Sequence, residues 1–201
     1  MQEKLPPHII LFTGHMIDTA ARKTPRFPPE SEELAREMIK QAVENTARAA
    51  KKTGKEPIGI SGGASGGDIL FQEVCNGMGI ETRLYLALPK TQYIETSVAP
   101  AGNNWRSRFN DLFRKNGSEF IQKDMHLPCI INAENEFSIW TKSNLWMLHT
   151  AIKIAKNDFT LIALWNGEQG DGPGGTKDMV ARAQARGAAF IHLDAKKLLR
   201  K

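Results

Sequence analysis

The residues of this chain whose types and spacing could do chemistry are concentrated in Ser61-Gly62-Gly63-Ala64-Ser65-Gly66-Gly67-Asp68. Pro57-Ile58-Gly59-Ile60 before it has strand character, and Ile69, Leu70, Val74 and Met78 after it mark an amphipathic helix. A strand, a glycine-dense loop and a helix in that order aim backbone N–H groups, and the positive end of the helix dipole, at the space above the strand's carboxyl end. That makes an anion site. The run does not fit the dinucleotide pattern G-x-G-x-x-G. It fits G-x-x-x-x-G from Gly62 to Gly67, but Asp68 and Ile69 stand where a Walker loop has Lys and Ser or Thr, which excludes that kind of ATPase. A carboxylate touching phosphate would repel it, so Asp68 is expected to hold ribose hydroxyls, a base edge or its own loop. The alternative is that the glycines serve only a tight turn and close packing, with Asp68 as a helix cap.

A second junction of the same kind closes the run Phe159-Thr160-Leu161-Ile162-Ala163-Leu164-Trp165. There Asn166 to Thr176 forms a glycine loop ending Gly172-Pro173-Gly174-Gly175-Thr176, with Thr176 near a helix start. Two such loops on one sheet edge could hold a phosphate and the rest of a nucleotide, or the two ends of a diphosphate. A connector with a type II turn at Pro173-Gly174 is the alternative.

The elements that must position these loops follow from periodicity. His8 to Thr13 reads as a buried first strand, from whose carboxyl end Gly14 and His15 emerge. The Pro-, Arg- and Lys-rich stretch to Glu30 has no helical period and is expected to lie over the same edge, where open α/β sheets bind ligands. His15 and Asp18 are therefore candidates to line a pocket, or else belong to a solvated turn. Ser31 is placed as the cap of a helix carrying Leu34, Met38, Ala42, Val43, Ala47 and Ala50 as far as Gly54. Its Arg36, Lys40, Arg48, Lys51 and Lys52 read as a solvated face. Thr82 to Leu88 is a third strand, Asn144 to Ala155 a buried helix, Phe159 to Trp165 a further strand and Ala189 to Leu193 the last. Strands alternating with helices give parallel βαβ units.

From Lys90 to Thr141 the alternation breaks. A helix with Trp105, Phe109, Leu112 and Phe113 on one stripe is expected there, followed by an irregular stretch, and a connection this long is usually functional. Because it leaves the third strand beside the glycine loop, Ser97, Arg106 or Arg108 could reach a ligand phosphate. Asn144 would either donate to a ligand or cap its helix. His126 and Cys129 are three residues apart without further ligands, so no metal site is expected.

With 201 residues, 41% of them hydrophobic and 24% charged, one well-packed domain spanning 1–201, with an insert at about 90–141, is the expected organisation. The net charge of +5 is spread along the chain instead of forming a run, so nucleic acid is not an expected partner. Two cysteines give no disulfide framework, and neither a signal-peptide pattern nor an apolar run of membrane-spanning length is visible. A cytoplasmic protein with no membrane contact and no resident cofactor is expected.

With both loops in view, the sequence resembles the SLOG superfamily of Rossmann-like proteins, named for the Smf/DprA proteins, which handle DNA during uptake, and the nucleotide-processing LOG enzymes. Ser61 to Asp68 is similar to the family's S-G-G-A-x-G-x-D loop, and Gly172-Pro173-Gly174-Gly175-Thr176 to its P-G-G-x-G-T loop. The resemblance spans most of the chain apart from the insert. It implies a doubly wound, mainly parallel sheet of about five or more strands with helices on both faces. It also implies a pocket for nucleotides or nucleotide-derived messengers such as NAD or ADP-ribose derivatives, often in antiphage defence or stress signalling. The ligand-binding set is then Gly14, His15, Ser61, Gly62, Gly63, Ala64, Ser65, Gly66, Gly67, Asp68, Ser97, Arg108, Asn144, Gly174, Gly175 and Thr176. Such a module is expected to pass its signal through self-association or a partner.

The LOG branch implies instead hydrolysis of a nucleotide N-glycosidic bond, using a glutamate three residues after the second loop's threonine. Here that position is Met179, with Asp178 one residue earlier and so turned by roughly 100° on a helix. Asp68, Glu95 and Asp178 are the candidate carboxylates for that chemistry. DNA binding of the Smf kind is a third alternative, with no basic stripe interleaved with aromatics to support it.

Overall fold

Along His8–Gly14 every residue from Ile9 to Phe12 is fully buried, which requires protein on both faces of the strand. The computed structural model describes residues 5–116, 119–120, 138–156, 158–168 and 175–199. Its elements are β1 (His8–Gly14), α1 (Glu32–Lys52), β2 (Pro57–Ser61), α2 (Gly67–Gly77), β3 (Glu81–Leu86), α3 (Lys90–Ser97), α4 (Asn103–Asn116), a two-residue β4 (Glu119–Phe120), α5 (Ile139–Ala155), β5 (Phe159–Trp165), α6 (Thr176–Gln184) and β6 (Ala189–Asp194).

Five strands form an all-parallel sheet in the order β3-β2-β1-β5-β6, and β4 adds a short pairing outside β3. The register sets Ile10 beside Gly59 on one side and Thr160 on the other. Because side chains alternate along a strand, Ile10, Phe12, Ile162 and Leu164 pack into one core with Ile39, Val43, Leu70 and Phe71 from α1 and α2. Ile9, Leu11, Ile60, Leu161 and Ala163 pack into a second core with Trp146, Leu148, Val180 and Ala183 from α5 and α6. The result is a Rossmann-like, doubly wound α/β architecture, built of the parallel βαβ units expected from the alternation of strands and helices.

The local expectations fare unevenly. Ser31 stands at the N-cap position of α1, as expected, but its side chain makes no capping hydrogen bond: it ends a 3-10 turn at Pro29–Ser31, and its hydroxyl donates to Leu198 O at 2.5 Å. Leu34 is exposed, and Ala35 and Ile39 take the core-facing places. The residues around Tyr93 form a helix of their own, α3, which starts after Pro89. α5 begins at Ile139 with Ser138 as its cap, accepting Thr141 N–H at 3.2 Å, so Asn144 is not a capping residue. Among the described residues no helix is long and apolar enough to cross a membrane.

Candidate functional site

β1 leads to β2 and β3 on one side, and the chain then returns to place β5 and β6 on the other. The order reverses between β1 and β5, and a crevice must open above their carboxyl ends. A cleft of about 440 Å³ lies there. Its floor is Thr13, Gly14 and His15 from the end of β1. Gly62, Ala64 and Asp68 come from the first glycine loop and the start of α2, and Gly175 and Thr176 from the start of α6. Both loops thus contribute to one cleft. A hollow of about 690 Å³ lined by Thr82, Arg83 and Asn116 lies at the other end of β3 and holds neither loop.

The first loop is built differently from an open cradle of amides. Gly63 N–H donates to the Tyr93 hydroxyl at 3.0 Å and Ala64 N–H to Asp68 Oδ2 at 3.3 Å. Ser65 N–H donates to Ser97 O at 2.9 Å, and Gly67 N–H to His15 O at 3.0 Å. These four donors are spent inside the protein, which corrects the expectation that the amides from Gly62 to Gly67 hold phosphate together. The same bonds fix the loop. Ile17 N–H donates back to Ser65 O at 3.0 Å, so the loop and the segment after β1 are bridged. At Gly66, φ is +104°, and a Cβ would overlap the Ile17 nitrogen and come within 2.9 Å of His15 O. Ser61 is buried and accepts Gln72 Nε2–H at 2.9 Å, and Ser65 is buried too. Ser61, Gly63, Ser65, Gly66 and Gly67 therefore shape the loop without lining the cleft.

His15 is buried at the cleft floor. Its Nε2 accepts Asn166 N–H at 3.2 Å, which leaves the ring proton on Nδ1. Burial, with Arg26 and Arg22 adding repulsion, holds its pKa down at about 4, so the ring is neutral at physiological pH. Asp18, the other candidate of this segment, organises the loop. Its Oδ2 accepts Arg26 N–H at 2.7 Å and Phe27 N–H at 2.9 Å, and its Oδ1 lies 3.1 Å from Arg22 Nε. The guanidinium-bearing Arg22 and Arg26 so placed both line the cleft. The sequence reading missed them, although they lie in the very stretch expected to cover this edge.

Asp68 is half-buried and lines the cleft. Crowding by protein pushes its pKa up to about 7, against a smaller opposing pull from Ala64 N–H. On the far wall stand Ser97 and Tyr93 of α3 and Trp140 and Asn144 of α5, with the Tyr93 and Trp140 ring centroids 6.1 Å apart. Tyr93 and Trp140 were not among the candidates either. Thr176 Oγ1 lies 3.5 Å from Thr13 Oγ1, so the amino end of α6 opens on the cleft.

Four candidates, Arg106, Arg108, Glu95 and Asp178, fall elsewhere. Arg108 does not close the site: its Nε and Nη2 donate to the two Glu73 carboxylate oxygens and Nη1 to Glu32, each at 2.7 Å, tying α4 to α2 and α1. Glu95 is exposed and pairs with Arg106 at 3.0 Å, which occupies both residues outside the cleft. Asp178 pairs with Arg182 one turn along α6 at 2.9 Å. Of the three carboxylates considered for catalysis, only Asp68 lines the cleft. Gly174, His126 and Cys129 lie outside the described residues, among which no cluster of metal-ligating side chains occurs. No protein-family model matches the chain, and no curated protein is significantly similar to it.

Proposed function

We propose that this protein binds a nucleotide or nucleotide-derived ligand, of the nucleoside phosphate or ADP-ribose class, in the cleft between β1 and β5. One observation carries the reading: two arginines, the start of α6, a neutral histidine and an aromatic wall meet at the switch point of a doubly wound sheet. Arg22, Arg26 and the amino end of α6 supply positive potential for phosphate. Trp140, 37% exposed, offers a face on which a base can stack. His15 Nδ1–H and Asn144 supply directional polar groups. The SLOG resemblance extends the proposal to a sensor in bacterial defence or stress signalling that acts through self-association or a partner.

A second reading, cleavage of a nucleotide N-glycosidic bond, is favoured by one specific observation. Asp68 is a cleft carboxyl whose pKa near 7 suits a general acid or base. One experiment separates the two. The protein is incubated with AMP, NAD and ADP-ribose, its thermal midpoint is measured, and the mixture is chromatographed. A raised midpoint with intact ligand supports a binding module, and release of free base or nicotinamide supports the enzyme. No shift with any of the three, and no product, would remove the proposal.

A further inference from the structure

A cleft suited to anions has a carboxyl group in its wall. Asp68 Oδ2 accepts Ala64 N–H at 3.3 Å, the one hydrogen bond of this carboxyl among the described residues. The same oxygen is walled in at Gly62, where a Cβ would come within 2.6 Å of it. Oδ1 has no hydrogen-bond partner among the described residues, and Asp68 lines the cleft. The titratable and charged groups lining the cleft around it are Tyr93 of α3, Tyr85 of β3, His15 at the end of β1, and Arg22 and Arg26 from the segment after it. No ion pair joins Asp68 to any of them among the described residues, and α5 brings only Trp140, Met147, Ser143 and Asn144. An ionised Asp68 would therefore meet an anionic ligand with no cation of its own.

Resting on the nucleotide-binding reading, we infer that Asp68 engages the ligand as a carboxylic acid, donating from Oδ1 to a lone-pair acceptor on the ligand, so that binding takes up a proton. The balance is simple: the ionised carboxyl of the free protein, one proton from solvent and the ligand give a neutral acid hydrogen-bonded to the ligand. No covalent bond changes. Burial already holds the proton to about neutral pH, and a bound anion adds like-charge repulsion in the same direction. The carboxyl then serves as a specificity device. It accepts ligands that present an oxygen or nitrogen acceptor at this point and disfavours those that present only a donor.

Calorimetry in two buffers of different ionisation enthalpy, at about pH 8, counts the protons. The probes are ADP-ribose and adenosine 3′,5′-cyclic monophosphate, whose phosphodiester groups do not titrate near neutrality. The expected result is uptake approaching one proton per ligand bound, with affinity rising severalfold between about pH 8 and pH 6. Asp68→Asn should bind with little pH dependence and no uptake, while Glu95→Gln, outside the cleft, should keep the uptake. Binding without proton uptake would overturn the inference and leave the nucleotide reading standing, with Asp68 acting as an ionised acceptor. Failure of both probes to bind would remove the inference, and the nucleotide reading falls with it only where AMP and NAD fail as well. The wild-type proton count decides the matter even if the Asp68 variant does not fold.

Discussion

Asp68 and His15 line the same cleft and are displaced in opposite directions, the acid's pKa raised to about 7 and the base's lowered to about 4. The signs of their contributions to stability differ accordingly. Asp68 has a folded pKa of about 7 against an ordinary 3.8, so its contribution is complete at acid pH and is lost as pH rises through about 7. His15 has a folded pKa of about 4 against 6.5, so its contribution is complete above 6.5 and is lost as pH falls towards 4. Relative to wild type, Asp68→Asn is expected to gain stability as pH rises from 3.8 to about 7, and His15→Gln as pH falls from 6.5 to about 4. Because Asp68 is half-buried, water screens part of the effect, and about 1 to 2 kcal/mol across its window is the expected size. Urea titrations at several pH values check both. At Gly66 the backbone leaves no room: Gly66→Ala is expected to cost about 3 kcal/mol or more through the positive φ and the overlap with Ile17. The loop's glycines were plain in the sequence. Their reason was not, because the atoms that crowd Gly66 belong to His15, Met16 and Ile17, some fifty residues away.

At the scale of elements, strands and helices follow from periodicity because both faces of β1, β2 and β5 are buried and the helices carry regular apolar stripes. Partners of charged and loop residues do not follow from it. The stripe of Trp105, Phe109 and Leu112 turns one face of α4 into the core and leaves Arg108 at its border, where it lies 3.9 Å from the Trp105 ring and reaches Glu73 and Glu32. Those glutamates are 35 and 76 residues away in sequence, so no local pattern marks them. Arg108→Ala is expected to lower stability by about 1–3 kcal/mol, because it removes the two-pronged partner of Glu73 and leaves that half-buried carboxylate to Arg36 alone, 3.0 Å away, and to leave ligand affinity unchanged. Thermal melts and calorimetry on the same variant test both halves. Trp140, at the start of α5, was read as part of an irregular stretch, and the helix that begins at Ile139 brings it to the cleft. Trp140→Ala is expected to weaken binding of an adenine nucleotide by about 1–3 kcal/mol if the base stacks there.

At the scale of the whole molecule, the strand order puts the cleft where it is. The reversal between β1 and β5 puts α1, after β1, on one face of the sheet and α6, after β5, on the other, with one crevice between the two strand ends. That much was legible: a parallel sheet, two strand-loop-helix junctions, and an irregular basic segment over the same edge. The division of labour was not. The first loop spends the amides of Gly63, Ala64, Ser65 and Gly67 on Tyr93, Asp68, Ser97 and His15, and so acts chiefly as a rigid wall. The positive charge comes instead from Arg22 and Arg26, which no periodicity singles out. The central claim is that this cleft, through these arginines, takes the phosphates of a nucleotide-type ligand. Calorimetric titration of ADP-ribose and AMP into wild type, Arg26→Ala and Arg108→Ala, at a temperature where all three are folded, tests it most directly. The account predicts that at least one ligand binds wild type and Arg108→Ala equally and Arg26→Ala about tenfold or more weakly. Absence of binding to wild type, or binding that Arg26→Ala leaves intact, would contradict it.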